Sequence, residues 1–214
     1  LAGLHYIAIE GVIGVGKTTL ASRLSERYGG RLVLERFEEN PFLSDFYKNP
    51  VFNAFATQIF FLLSRYKQLS ELHYFDLFHE TVITDYLFEK DRIFAFINLS
   101  EAELRLYNEI ERHMATELPR PDVVIYLQAG VSTLMSRIRN RNRQYERRIT
   151  EKYISNLSKA YEHFFFNYND SPLLVINVDH LDLDGDGVVE ELCERLKRPV
   201  RGTEFYNPDR TLWG

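Results

Sequence analysis

The chain is nearly free of cysteine. Cys193 is the only one in 214 residues, which excludes an intrachain disulfide framework and suits a reducing compartment, so a cytoplasmic location is expected. Long apolar runs are missing as well. The most apolar window, 59–63, is far too short to span a bilayer, and no membrane partner is expected. No basic segment followed by an apolar stretch opens the sequence, so no leader peptide is expected. An excess of positive charge is also lacking. The formal net charge of −5 argues against a general nucleic-acid binder held by phosphate contacts. There is no internal repeat, and the six histidines fall in no metal-ligand spacing. What is plentiful is apolar and aromatic side chains, 45% and 14% of the residues, enough for one sizeable core.

One stretch organises the rest. Residues 10–19 read E-G-V-I-G-V-G-K-T-T, which contains Gly11-x4-Gly16-Lys17-Thr18, a complete phosphate-binding loop. An apolar run, 4–9, precedes it and a helix-like segment, 19–28, follows. Gly11, Gly14 and Gly16 let the backbone curl with its N–H groups turned inward around an anion. The following helix, with Thr19 in its first turn, adds the positive end of its dipole. Lys17 can reach the outer phosphates of ATP, and the Thr18 hydroxyl can ligate Mg2+.

Further along, apolar strands at 4–9, 32–34, 81–84, 123–127 and 173–178 alternate with helical segments. This pattern predicts an α/β fold with a parallel sheet of about five strands flanked by helices. The expected layout is a single domain over 1–197 and a tail over 198–214, containing Trp213, that is mobile or packs on the body. Functional groups should gather at the carboxyl ends of the strands. Asp85 closes the third strand and is a candidate carboxylate on the Mg2+ side, or else the N-cap of the next helix. Glu35 closes the second strand and can accept a proton from an attacking hydroxyl while orienting it.

The long helical segment 51–72 carries a stripe at Val51, Phe55, Gln58, Leu62, Arg65 and Leu69, which share one face. Gln58 and Arg65 lie about 10 Å apart along the helix axis. Two polar groups in an apolar stripe need partners if buried, and a planar heterocycle would supply them. The alternative is that Arg65 pairs within the protein, for instance with Asp91, or extends its charged end to water. Arginines at 137, 139, 141, 143, 147 and 148 form a local basic cluster, read as a lid over 137–148 that closes on phosphates. The run Asp182-x-Asp184-x-Asp186-Gly187 starts like a calcium loop, but Cys193 stands at its twelfth position, and acidic residues ahead of a helix explain it better.

Together these residues are similar to the deoxyribonucleoside kinases, in the branch that acts on deoxyguanosine, deoxyadenosine and deoxycytidine. The likeness covers about 4–197. It is carried by Ile9-Glu10-Gly11 through Gly16-Lys17-Thr18-Thr19, Glu35, Phe46-Tyr47-x-x-Pro50, Gln58, Ser64-Arg65, Asp85, Asp91, and Arg137-x3-Arg141-x-Arg143-x2-Glu146. The resemblance implies Glu35 as general base for the nucleoside 5′-hydroxyl. It implies Tyr47 and Glu146 as the pair on the 3′-hydroxyl, and Gln58, Arg65 and Asp91 as the base-reading set. Arg137, Arg141 and Arg143 become the lid, Asp85 the Mg2+-side carboxylate, and ATP and Mg2+ the cofactors. A homodimer packed through helices is implied too, which would suit Phe164-Phe165-Phe166. The chain departs from the family pattern at Glu35-Arg36-Phe37, at Asp85-Tyr86-Leu87 where an arginine commonly follows the acid, at Arg141-Asn142-Arg143 where glycine is usual, and in the early placing of Phe94. The Asp-Tyr pair resembles some bacterial deoxyguanosine kinases and points to a purine.

Two other functions fit a phosphate-binding loop. A nucleoside monophosphate kinase would need cations around its acceptor phosphate, and the acceptor end offers only Arg36 and Arg65. A regulatory GTPase would carry Asn-Lys-x-Asp, which is absent.

Overall fold

The computed structural model describes residues 4–74 and 81–208; Trp213 and His79 lie outside the described residues. Its centre is β1 (Tyr6–Gly11), buried along its whole length. That matches an apolar run without alternation, the signature of a strand covered on both faces. Around it the sheet forms in the order β2-β3-β1-β4-β5-β6, with every pairing parallel. The other strands are β2 (Arg31–Val33), β3 (Val82–Thr84), β4 (Val123–Gln128), β5 (Leu173–Asn177) and β6 (Thr203–Tyr206). From β1 the chain runs to one side for β2 and β3, then crosses to the other for β4 to β6. The carboxyl end of β1 is therefore a topological switch point, where open α/β sheets bind ligands.

The sixth strand falls inside the segment expected as a tail. Leu173 N–H donates to Gly202 O at 2.8 Å, and Thr203–Tyr206 continue the register along β5. This edge strand is four residues long and half exposed, with Phe205 81% exposed. It carries no apolar run that sequence patterning could detect.

Eight helices cover the sheet among the described residues: α1 (Lys17–Tyr28), α2 (Leu43–Lys48), α3 (Pro50–Ser70), α4 (Lys90–Asn98), α5 (Glu101–Ala115), α6 (Val131–Arg141), α7 (Glu151–Phe166) and α8 (Asp186–Leu196). Pro50 opens α3 at a position where its missing N–H costs nothing, and no Gly or Pro interrupts the next 20 residues. The Ser100–Glu103 capping box predicted for α5 forms, Ser100 N–H donating to Glu103 Oε2 at 2.9 Å. α7 seals the core with aromatics. Phe165 stacks on Tyr126 with centroids 4.0 Å apart, and Tyr161 is fully buried. Phe165 is thus a core residue, and of the expected interface trio only Phe166, 89% exposed, faces solvent.

Candidate active site

Backbone geometry builds the phosphate side. Gly14 and Gly16 sit at φ +85° and +109°, which L side chains rarely adopt. A Cβ at Gly16 would come within 2.5 Å of Leu183 Cδ1, and one at Gly14 within 2.8 Å of Ile138 Cγ1. The loop is thereby pressed between α6 and the 181–184 turn. Gly16 caps α1 without a side-chain bond, and the first turn of α1 holds no acid, so its N–H donors face the cleft unshielded. Lys17 Nζ donates to Gly11 O at 2.6 Å and to Val12 O at 3.3 Å. Arg137 is tied to main chain as well, to Val15 O at 2.8 Å and Val178 O at 2.9 Å. Gly14, Gly16, Lys17, Thr18, Thr19, Arg137, Arg141 and Arg143 all line one open cleft with Leu181–Asp184.

A second cleft opens from the same loop. It shares Gly14, Lys17, Thr18, Arg141 and Arg143 and adds Glu35, Tyr47, Gln58, Arg65, Asp85, Asp91 and Glu146, within about 790 Å³ of space partly open to solvent. The structure therefore brings every sequence-predicted site residue except Gly11 to one or both clefts; Gly11 sits beneath the loop as acceptor of the Lys17 bond.

Asp85 joins the two clefts. Thr18 Oγ1 donates to its Oδ2 at 2.6 Å, and the Glu35 backbone N–H donates to its Oδ1 at 2.7 Å. The buried Glu10 makes a parallel link. It accepts Gly11 N–H at 2.8 Å, Leu87 N–H at 2.9 Å and Tyr161 OH at 3.1 Å, fixing the loop to the β3 end and to α7. Among the described residues no cluster of three or more His, Cys, Asp or Glu could hold a metal alone. Two hard oxygen donors converging beside a phosphate cradle fit Mg2+, which keeps few protein ligands and completes its shell with phosphate oxygens and water.

Side chains from α3 and α4 build the acceptor side. Arg65, 2% exposed, donates from Nε to Glu35 Oε1 at 2.8 Å and from Nη2 to the same oxygen. Its Nη1 lies 2.5 Å from Asp91 Oδ1, a close ion pair off hydrogen-bond alignment. The internal pairing with Asp91 that the sequence offered is present, Glu35 is a second partner it did not name, and Arg65 also lines the cleft. Asp91 Oδ2 and Gln58 Oε1 are buried with no hydrogen-bond partner. On the lid side, Glu146 is 5% exposed and takes Arg141 at 3.1 and 2.6 Å, with Arg143 3.7 Å away. The guanidinium of Arg143 also stacks over Phe37 at 4.2 Å. Asn142, in the usual glycine position, takes φ 50° and ψ 35°, the left-handed conformation that Asn tolerates. Arg139, Arg147 and Arg148 face solvent, so half of the arginine run is not part of the cleft.

Lys90 was not foreseen. It is 5% exposed, lines the acceptor cleft and donates to Glu35 Oε2 at 2.8 Å. The sequence places it in a helical segment over 88–98 and gives it no role there. The only hint was the following apolar run, which marks a helix start where a lysine is out of place. Tyr86, standing where the family pattern has arginine, is fully buried and brings no charge.

These contacts set the charges. Burial would raise Glu35, but Arg65 and Lys90 outweigh it and hold the carboxyl well below its usual range. Burial lowers Lys17 to about 8, with Lys90 adding to the effect. Burial raises Asp91 to about 6 against the pull of Arg65.

A loop for a triphosphate, an ionised carboxylate one residue-pair away and a polar slot beyond it describe a kinase with a small acceptor. A family model described as "Deoxynucleoside kinase" matches residues 7–201. The chain belongs to the deoxynucleoside kinase family. It is 41% identical over 158 residues to a deoxyguanosine kinase of Bacillus subtilis (strain 168), covering 73% of this chain and 76% of that one. It is 28% identical over 213 residues to a deoxyadenosine kinase of Lactobacillus acidophilus, covering 91% and 97%. Among solved structures, a deoxyadenosine kinase from M. mycoides with bound dATP superposes with a TM-score of 0.76 at 30% identity, covering 91% of this chain and all of that one. The same enzyme with dCMP and a flexible dCDP gives 0.78 at 31%. A deoxynucleoside kinase phosphorylates a nucleoside for salvage, which displaces the monophosphate-kinase and GTPase readings. No helix among the described residues is long and apolar enough to cross a membrane.

Proposed function

We propose that this deoxynucleoside kinase uses ATP and Mg2+ to phosphorylate the 5′-hydroxyl of a purine deoxynucleoside, deoxyguanosine ahead of deoxyadenosine. The observation that carries this is the place of Glu35. Its backbone is fixed to the Asp85 carboxylate that also meets Thr18, and its side chain faces the acceptor cleft. The 5′-oxygen forms its bond to the γ-phosphorus as the bond from that phosphorus to the β–γ bridging oxygen breaks. The hydroxyl proton passes to Glu35, and ADP leaves with the released electron pair. Because Glu35 is strongly acidic, its main contribution is aligning the hydroxyl, with the proton moving late in a loose transition state. Thr18 and Asp85 would hold Mg2+, which would neutralise charge on the phosphates. Lys17, Arg141 and Arg143 would hold the phosphate oxygens, and Arg137 would keep the loop in shape. Tyr47 and Glu146 would take the 3′-hydroxyl.

The purine preference rests on two buried acceptors without partners, Gln58 Oε1 and Asp91 Oδ2, beside the Arg65 fork. Guanine offers donors at N1 and N2 and an acceptor at O6, which satisfies all three groups. Adenine offers one exocyclic donor, and leaving a buried acceptor unpaired costs about 1–3 kcal/mol. The relative named a deoxyguanosine kinase supports the same order. Exposed Phe96 and Phe166, on the packed helices α4 and α7, suit a homodimer, and a cytoplasmic setting suits the single free Cys193.

The assay is ADP formation from ATP and Mg2+ with a panel of deoxynucleosides and monophosphates. Turnover should be fastest with deoxyguanosine. Faster turnover with deoxycytidine or thymidine would remove the purine assignment, and turnover on monophosphates alone would remove the acceptor assignment. Sedimentation velocity checks the dimer.

A further inference from the structure

Lys90 stands where physical chemistry disfavours it. It is the first residue of α4, at the positive end of the helix dipole, and its side chain is 6% exposed. Lysine is almost never buried unless paired. Its pairing with Glu35 does not account for it, because Arg65 already holds the other oxygen of that carboxylate through two donors. A charge beyond what Glu35 needs has been placed in the pocket.

The second observation is Lys17. The two ammonium groups line the same cleft with Thr18, Asp85 and Glu35. After burial, Lys90 is the strongest influence lowering the Lys17 ammonium. Against burial, Glu35 and Glu10 hold the Lys90 ammonium above its usual range, Asp91 also faces it, and Arg65 adds a third positive charge nearby. Like charges converging on a water-poor pocket are relieved when an anion enters between them. Lys17 enters that cleft from the phosphate loop and Lys90 from the start of α4, beside Glu35.

We propose that Lys90 is a catalytic residue of the transfer step, contacting the γ-phosphoryl group from the acceptor side as Lys17 contacts it from the donor side. The inference rests on Glu35 as the acceptor-side base. As the 5′-hydroxyl takes a place on Glu35 Oε2, the Lys90 ammonium turns to a phosphoryl oxygen. Arg65 keeps Glu35 in position meanwhile. The ammonium keeps its protons throughout and neutralises charge that builds on the equatorial oxygens as the bridging bond breaks.

The test uses Lys90→Met and Lys90→Gln, each in the parent enzyme and in a Glu35→Gln background. It measures kcat at saturating ATP with the best acceptor, and the Kd of each substrate separately. Retained ATP binding by either variant shows that it is folded. The expected result is a fall in kcat of about 100-fold, with each Kd changed by less than about threefold. A loss of similar size is expected when Glu35 is already Gln. A kcat within about threefold of the parent, a loss confined to the nucleoside Kd, or a loss that vanishes in the Glu35→Gln background overturns the assignment. The reading of Glu35 fails by a different result, near-parent turnover of Glu35→Gln alone.

Discussion

The two halves of the cleft hold their cations in opposite ways. On the donor side Lys17 and Arg137 are held by main-chain carbonyls, Gly11, Val12, Val15 and Val178. On the acceptor side Arg65 and Lys90 are held by the carboxylates of Glu35 and Asp91, and Arg141, which lines both clefts, is held by Glu146. The donor half presents a fixed backbone shape to a triphosphate, whatever side chains surround it. The acceptor half is a set of buried ion pairs, and each pair can be lost one charge at a time. Buried pairs of this kind are weak sources of stability, because desolvation offsets their attraction. Their retention points to recognition and chemistry. A change in the donor half should therefore act through shape and ATP affinity, and a change in the acceptor half through turnover and base choice.

The largest expected effect is on turnover. Glu35→Gln should lower kcat about 10³-fold while leaving ATP affinity within about twofold, as measured by steady-state kinetics and titration calorimetry. Equal losses in ATP affinity would show that the two halves are not separable through Asp85. Next comes Gly16→Ala. An alanine there meets Leu183 Cδ1 at 2.5 Å and strains a φ of +109°. A cost of about 1–3 kcal/mol appears as roughly 10- to 100-fold weaker ATP binding, with deoxynucleoside binding nearly unchanged. Nucleoside binding that falls in parallel would break the separation. Smaller still is Glu146→Gln. Losing the carboxylate that holds Arg141 should raise the nucleoside KM about tenfold with a lesser change in kcat. A change seen only in the ATP KM would move Glu146 to the donor half.

The same contrast explains what could be read from the sequence. The phosphate loop is local, eight residues whose spacing alone sets a backbone shape, and it was legible together with its flanking strand and helix. Glu35 and Asp85 were legible because strand ends mark them. The pairing between them was not, since residues 50 apart meet only through the β2–β3 register. Lys90 reaches Glu35 across 55 residues, and nothing in Glu89-Lys90-Asp91 distinguishes a buried lysine from a solvated one. The arginine run looked uniform along the chain, but α6 periodicity turns Arg137 to the loop and Arg139 to water. β6 escaped because an edge strand with one exposed face needs no apolar pattern.

The smallest effect concerns stability, and its sign separates two carboxylates of one network. Burial raises Asp91 to about 6 from an ordinary 3.8, so the folded protein binds its proton more tightly than the unfolded chain does. The stabilisation that this gives is complete below about pH 3.8 and is lost as pH rises through about 6. Glu35 has the opposite sign. Although burial alone would raise it, Arg65 and Lys90 hold it low, so it stabilises the fold above its ordinary 4.5 and is lost only as pH falls through its folded value. Without nucleotide, Asp91→Asn should therefore raise Tm by a few degrees at pH 8. The gain should shrink steadily below about pH 6 and be gone by about pH 3, where Asp91 is protonated in both states. Thermal unfolding followed by circular dichroism at the two pH values is sufficient. With deoxyguanosine present the variant should lose part of the ligand-induced rise in Tm, because a carboxamide that presents its oxygen to Arg65 offers the base no second acceptor. A variant that is less stable than the parent at pH 8 without ligand would mean that the Arg65–Asp91 attraction exceeds the cost of burying the charge. The acceptor half would then be held together by its ion pairs, as firmly as the donor half is by its backbone.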